Sequence, residues 1–164
     1  MIQRIQTLYL LMVFILVALL AIQNPIYAEF SIKNHNNTIT YMYLKYLSQV
    51  NTGMDLIQPL ISYKYMNLIN LILVGGASLY AIFLYKNRPK QMKVVIVSLI
   101  ASIVTLSMLV VDYYLTKSSL SVGVIGATLN PHALWMVMAF LLNLFALKGI
   151  REDHEKVSSR DTIR

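Results

Sequence analysis

Five polar side chains set in otherwise apolar runs are the groups best able to do chemistry: Asn67, Asn70, Asp112, His132 and Asn143. A carboxylate and an imidazole in hydrocarbon suggest a proton or ion relay, and amides suggest a hydrogen-bonding path for a polar solute. Their spacing argues for something plainer. Asn67 and Asn70 are three apart and share a helical face, where amides also serve helix packing. Asp112 lies about one turn from the end of its run, beside Tyr113 and Tyr114, where a carboxylate stays hydrated or meets Lys117 or His132. His132 stands three residues before Trp135, a natural interface anchor, and has no second histidine at ligand spacing. Asn143 sits deeper, as an interhelical hydrogen-bonding amide would.

The rest of the inventory gives no specific reason to propose an enzyme. There is no cysteine, which removes a thiol nucleophile, a thiolate metal site and a disulfide framework. HExxH, a nucleotide loop, a serine elbow and paired carboxylates are missing too, and Gly123-x-x-Gly126 lacks the Lys-Ser/Thr of a phosphate loop. The expectation is a non-enzymatic protein with no cofactor and no metal.

The elements that carry these residues are apolar helices. Of 164 residues 57% are hydrophobic and 13% charged, and the mean hydropathy is +0.61, outside the range of soluble domains. Four runs reach spanning length, at about 5–23, 65–85, 94–115 and 129–147. The first resembles a secretory signal, but Ile22 to Ile26 offers no small-x-small cleavage site, so it reads as a span ended by Asn24-Pro25. Between the second and third runs, residues 86–93 carry Lys86, Arg88, Lys90 and Lys93. A short loop this basic is expected on the cytoplasmic side. With Arg4, Lys148 and Arg151 on the same side, ten of the fourteen cations fall there, leaving Lys33, Lys45, Lys64 and Lys117 outside. A net charge of +7 therefore follows topology, and nucleic acid is not needed to explain it.

Residues 24–64 form an outer loop with turn-like clusters at Asn34 to Thr38 and Asn51-Thr52-Gly53. Between these clusters, periodicity does not separate a short strand from an interfacial helix, and Tyr41, Tyr43 and Tyr46 suit a membrane surface. A second outer connection, Thr116 to Thr128, is rich in Ser and Gly. Gly75-Gly76 and the Ser98, Ala101, Ser102, Thr105 face promise close helix approach. The tail, residues 148–164, mixes signs: Glu152 with Lys156 favours a helical extension, and its acids argue against a strong polybasic lipid site.

Three blocks carry a family resemblance: MIQRIQTLYLL at Met1 to Leu11, LYKNRPKQMK at Leu84 to Lys93, and ALKGIREDHEKVSSRDTIR at Ala146 to Arg164. The chain resembles a membrane family of Bacteroidota, domain of unknown function family 4293, through Arg4, Arg88, Gln91, Arg151, Asp153, Val157, Ser159 and Arg164. Gly149 and His154 depart from the pattern, and residues 34–53 match no motif of it. The resemblance implies a bacterial inner-membrane protein and transfers no activity. The combined expectation is an all-α, polytopic four-helix bundle with cytoplasmic N and C termini. Its expected partners are membrane lipids, with another membrane protein or a second copy as further candidates. It would serve as a scaffold or accessory subunit, the alternative being a small transporter or channel subunit built on the intramembrane polar residues.

The cysteine-free chain makes the orientation directly measurable. Single variants Lys90→Cys and Ser158→Cys should resist a membrane-impermeant maleimide added to intact cells and react in inverted vesicles. Lys117→Cys should do the reverse.

Overall fold

The computed structural model describes residues 2–23, 25–32, 39–43, 48–51, 66–119 and 124–161. Four helices dominate it: α1 (Ile2–Gln23), α2 (Met66–Phe83), α3 (Arg88–Ser119) and α4 (Ala133–Asp161). All four are long and apolar enough to cross a membrane. Each packs on two neighbours, α1 on α2 and α4, and α3 on α2 and α4, giving an up-down-up-down bundle.

The inward faces obey one rule. Buried positions fall at Gln6, Leu10, Val13, Val17 and Leu20 on α1, and at Asn67, Leu71, Val74, Ser78 and Ala81 on α2. They continue at Gln91, Val95, Ser98, Ser102, Thr105 and Leu109 on α3, and at Met136, Ala139, Asn143, Ala146 and Ile150 on α4. Alternating steps of three and four make a heptad seam, the spacing of left-handed bundles. The outward faces are just as apolar, with Ile15, Ile72, Ile100 and Phe145 all exposed. Helices that are apolar all round suit lipid rather than water. This is a polytopic membrane protein, and Asn67, Ser78, Ser98, Ser102, Thr105 and Asn143 lie inside it.

Of the paired glycines only one serves packing. Gly75 is buried, and a Cβ there would lie 3.4 Å from Val17 Cγ1, whereas a Cβ on Gly76 would meet nothing within 4 Å. Gly76 points away from the bundle because it is one step, about 100° of helix, off the seam.

The bundle is all-helical, but the chain as a whole is not. A four-stranded antiparallel sheet, order β3-β2-β1-β4, caps one end. It comprises β1 (Ile26–Ile32), β2 (Ile39–Tyr43), β3 (Ser48–Asn51) and β4 (Val124–Leu129). The strand-or-helix ambiguity of the outer loop thus resolves to strand where it is described. The second outer connection, rich in Ser and Gly, supplies β4, and Leu129 ends that strand instead of opening a span. The reason is geometric. Pro25 ends α1 and β1 follows directly, while β4 leads through Asn130-Pro131-His132 into α4. Two antiparallel helices are thereby continued by two antiparallel strands, paired Ala28↔Leu129 through Phe30↔Ala127. Ala28 is fully buried and packs with Val17, Leu20 and Met136, which docks the sheet on the bundle. The clusters 34–38 and 52–53, and Tyr46, lie outside the described residues.

At the opposite end the connection is tighter than the basic stretch suggested. Only residues 84–87 lie between the helices, and Arg88 to Lys93 already form the start of α3. Asn87 precedes the helix and its carbonyl accepts from Gln91 N at 2.9 Å, while Pro89 sits in the first turn, where its missing N–H costs nothing.

Gly75→Leu should lower the stability of the detergent-solubilised protein by about 1–3 kcal/mol by forcing Val17 aside. Gly76→Leu should leave the thermal midpoint within about 1 °C of the parent.

Candidate functional site

The most connected polar group lies in mid-bundle. Asn143 Nδ2 on α4 donates to Ser98 Oγ on α3 at 3.0 Å, and Ser98 Oγ is 3.1 Å from Ser78 Oγ on α2. Ser78 Oγ donates to the Val74 carbonyl at 2.8 Å. A hydroxyl has one proton to give, so these contacts order themselves as a chain, Asn143 to Ser98 to Ser78 to Val74. The contacts of Ser78 Oγ with Asn143 Oδ1 at 3.4 Å and of Ser98 Oγ with Val74 O at 3.3 Å are the longer alternatives. All three side chains are fully buried. The chain separates two apolar clusters, one around Val13, Val17, Leu71 and Met136, the other around Leu10, Ala81, Val95 and Ile150. Ser102 and Thr105 extend the polar face but bond back to their own helix, to the Ser98 and Ala101 carbonyls at 2.8 and 3.0 Å.

Chemically this arrangement packs rather than reacts. An amide is no base, so neither serine has a partner that would take its proton. Among the described residues no cluster of three or more His, Asp or Glu side chains forms a metal site.

The five polar residues of the spans divide by depth. Asn143 joins the central chain. Asn67 is fully buried near the start of α2, while Asn70, half-buried, points Nδ2 at Met108 Sδ across 3.5 Å. Ser78 faces Ser98 and Asn70 faces Met108, so the antiparallel register puts Asn67 level with the α3 turn that carries Asp112. His132 lies eleven residues before Asn143, at that same end. Its Nδ1 is 2.8 Å from Asn130 Oδ1 and its ring is 5.4 Å from Trp135. Asn67, Asp112 and His132 thus share the sheet end, about 16–21 Å along the bundle from the level of Asn143 at 1.5 Å per residue.

The other end holds the charged groups. Arg88 Nη2 meets Asp153 Oδ2 at 3.0 Å, with both side chains largely covered, and so ties the start of α3 to α4. Lys148–Glu152 at 4.0 Å and Arg151–Glu155 at 3.0 Å run along exposed α4, where such pairs add little. Gln91 Nε2 donates to the Ala81 carbonyl at 3.0 Å, a second bond to a group in the last turn of α2 that also accepts from Leu84 N at 3.2 Å. Lys90, Lys93 and Lys86 are exposed, and Arg4 lies in α1 at this same end. Gln6, 5% exposed, packs on Gly149, where a Cβ would come within 3.0 Å of its Cγ.

A family model described as Domain of unknown function (DUF4293) matches residues 2–163, which include every helix and strand above. The chain belongs to this family. A search of curated proteins found no match. Within this DUF4293 chain the resemblance residues Arg88, Gln91 and Asp153 acquire physical roles, since each makes a contact that fixes the turn end of the bundle.

Sequence reasoning singled out Asn143 and the small face of α3 but not Ser78 as the link between them, nor buried Gln6. The available signal was the seven-residue step from Gln91 to Ser98 to Thr105, which marks one seam through an otherwise uniform run.

Asn143→Ala should destabilise the bundle by about 1–2 kcal/mol, since interhelical hydrogen bonds in membranes average about 0.6 kcal/mol and a cavity adds to the loss. A double-mutant cycle with Ser98→Ala should show coupling, whereas a cycle of Asn143→Ala with Asn70→Ala should be additive.

Proposed function

We propose that this polytopic membrane protein is a non-enzymatic scaffold or accessory subunit of a membrane complex, seated in a bacterial inner membrane with both termini in the cytoplasm. The observation that carries this reading is the use of the interior polar groups: the Asn143–Ser98–Ser78 chain holds three helices together. Charge asymmetry supports the orientation, because Arg4, Lys86, Arg88, Lys90, Lys93, Lys148 and Arg151 all belong to the end away from the sheet. A transporter or channel built on Asn67, Asn70, Asp112 and Asn143 would need these groups to meet in one water-filled path. Their separation along the bundle weighs against that arrangement. The hydroxyls near Asn143 meet amide and carbonyl groups, which supports the non-enzymatic reading.

Affinity purification of the full chain from native membranes in mild detergent, against a lipid-only control, tests the proposal. The expected result is stoichiometric recovery of a second membrane protein whose abundance falls in cells lacking this chain. Recovery of the chain alone, with solute flux in proteoliposomes containing only the purified protein, would overturn it in favour of transport.

A further inference from the structure

At the end of the bundle away from the sheet, a recess of about 500 Å³ opens between the α2–α3 turn and α4. Tyr85, Lys86, Arg88, Pro89 and His154 line it. We infer that this recess binds the phosphate group of an anionic lipid headgroup, held by Lys86, His154 and the donors that Arg88 does not give to Asp153. The inference goes beyond the accessory role and does not depend on it.

Depth is the first argument. The candidate span of α3 begins at Arg88, which lines the recess. His154 lies twenty-one residues after Ala133, about 32 Å along α4 at 1.5 Å per residue, against a hydrocarbon core of about 30 Å. The recess therefore sits where phosphates of the adjoining leaflet sit. Tyr85 is 53% exposed and carries the Lys86 ammonium 5.8 Å from its ring centroid, a pairing suited to the headgroup boundary.

Charge is the second. The tail's acids, taken as composition, dilute its positive field. In the structure three of those acids are engaged: Asp153 by Arg88, Glu152 by Lys148 and Glu155 by Arg151. Residues 86–93 and 148–156 hold seven Lys and Arg against three Asp and Glu, so cationic charge remains in excess. Exposed Lys90 and Lys93, in the first and second turns of α3, add to the field beside the recess.

Chemistry is the third. Arg88 has five N–H donors, and its ion pair with Asp153 uses Nη2, leaving its other nitrogens available to a phosphate oxygen. Asp153 also fixes the guanidinium in place, so the donor is pre-positioned. Lys86 adds a mobile ammonium and His154 an imidazole N–H. A zwitterionic lipid would bring a choline cation to the same field and gain less.

The test uses the full-length protein in nanodiscs of phosphatidylcholine with and without phosphatidylglycerol, followed by native mass spectrometry of retained lipid. The expected result is one phosphatidylglycerol retained in preference to phosphatidylcholine. Lys86→Ala should weaken that retention about fivefold, the equivalent of about 1 kcal/mol per cation near a membrane surface, and Lys86→Ala with His154→Ala further. Lys117→Ala, at the sheet end, should leave it unchanged, and thermal midpoints should confirm that all variants fold. No preference for phosphatidylglycerol, or equal retention by parent and double variant, would overturn the site. Inorganic phosphate titrated into phosphatidylcholine-only discs separates the two sources of the anion. Binding there with the same sensitivity to Lys86→Ala, together with displacement of the lipid, would overturn the headgroup as the ligand in favour of soluble phosphate.

Discussion

The hydrogen-bond chain from Asn143 through Ser98 and Ser78 to the Val74 carbonyl holds three helices in one register. In lipid the apolar contacts between helices are little better than contacts with acyl chains, so small, specific interactions decide how helices sit against one another. Sliding α4 by one turn would draw the Asn143 amide about 5 Å away from both serines and leave it in an apolar layer. The register set there places Asn70 opposite Met108 and puts Arg88 within reach of Asp153. Helix α1 takes no part in the chain. It is held by Val17 against Gly75 and by Gln6 against Gly149, both places where a missing side chain admits a neighbour.

The two ends of the bundle solve different problems. At the turn end, helix termini leave carbonyl and N–H groups without partners within the helix. Gln91 adds a side-chain donor to the Ala81 carbonyl, which also accepts from Leu84 N, and the Arg88–Asp153 pair closes α3 on α4 over a distance a four-residue turn would not control. At the sheet end, chain leaving α1 and chain entering α4 must pair their backbone groups near lipid, where unpaired ones are costly. Strands β1 and β4 do this for each other, and β2 pairs the other side of β1. The cap is thus the backbone solution to the same constraint that makes the spans helical.

Polarity is turned inside out relative to a soluble bundle. Asn67, Ser78, Ser98, Ser102, Thr105 and Asn143 are fully buried, while Ile72, Phe83, Val110 and Leu134 are exposed. Among the described residues charge is confined to the ends, where the structure pairs most of the tail's acids and leaves lysines of residues 86–93 in excess. Mid-bundle packing thus rests on uncharged polar groups, while at the turn end Arg88 serves both packing and the charged surface.

The number of helices and the membrane setting were legible in the amino-acid sequence because hydrocarbon admits about twenty apolar residues per crossing and little else. Asn143 and the Ser98-to-Thr105 face were legible as packing positions because amides and small residues are rare enough there to stand out. Which face of each helix turns inward was not, except at those few positions, since core and lipid are equally apolar and the heptad seam disappears among leucines and isoleucines. The serine pairing across α2 and α3, and the separation of Asn67, Asp112 and His132 from Asn143, required helix register, a relation between distant segments. The sheet was decided by tertiary structure for the same reason. Strand β4 belongs to a stretch of Ser and Gly that signals a loop locally, and it becomes a strand because α1 and α4 deliver β1 alongside it.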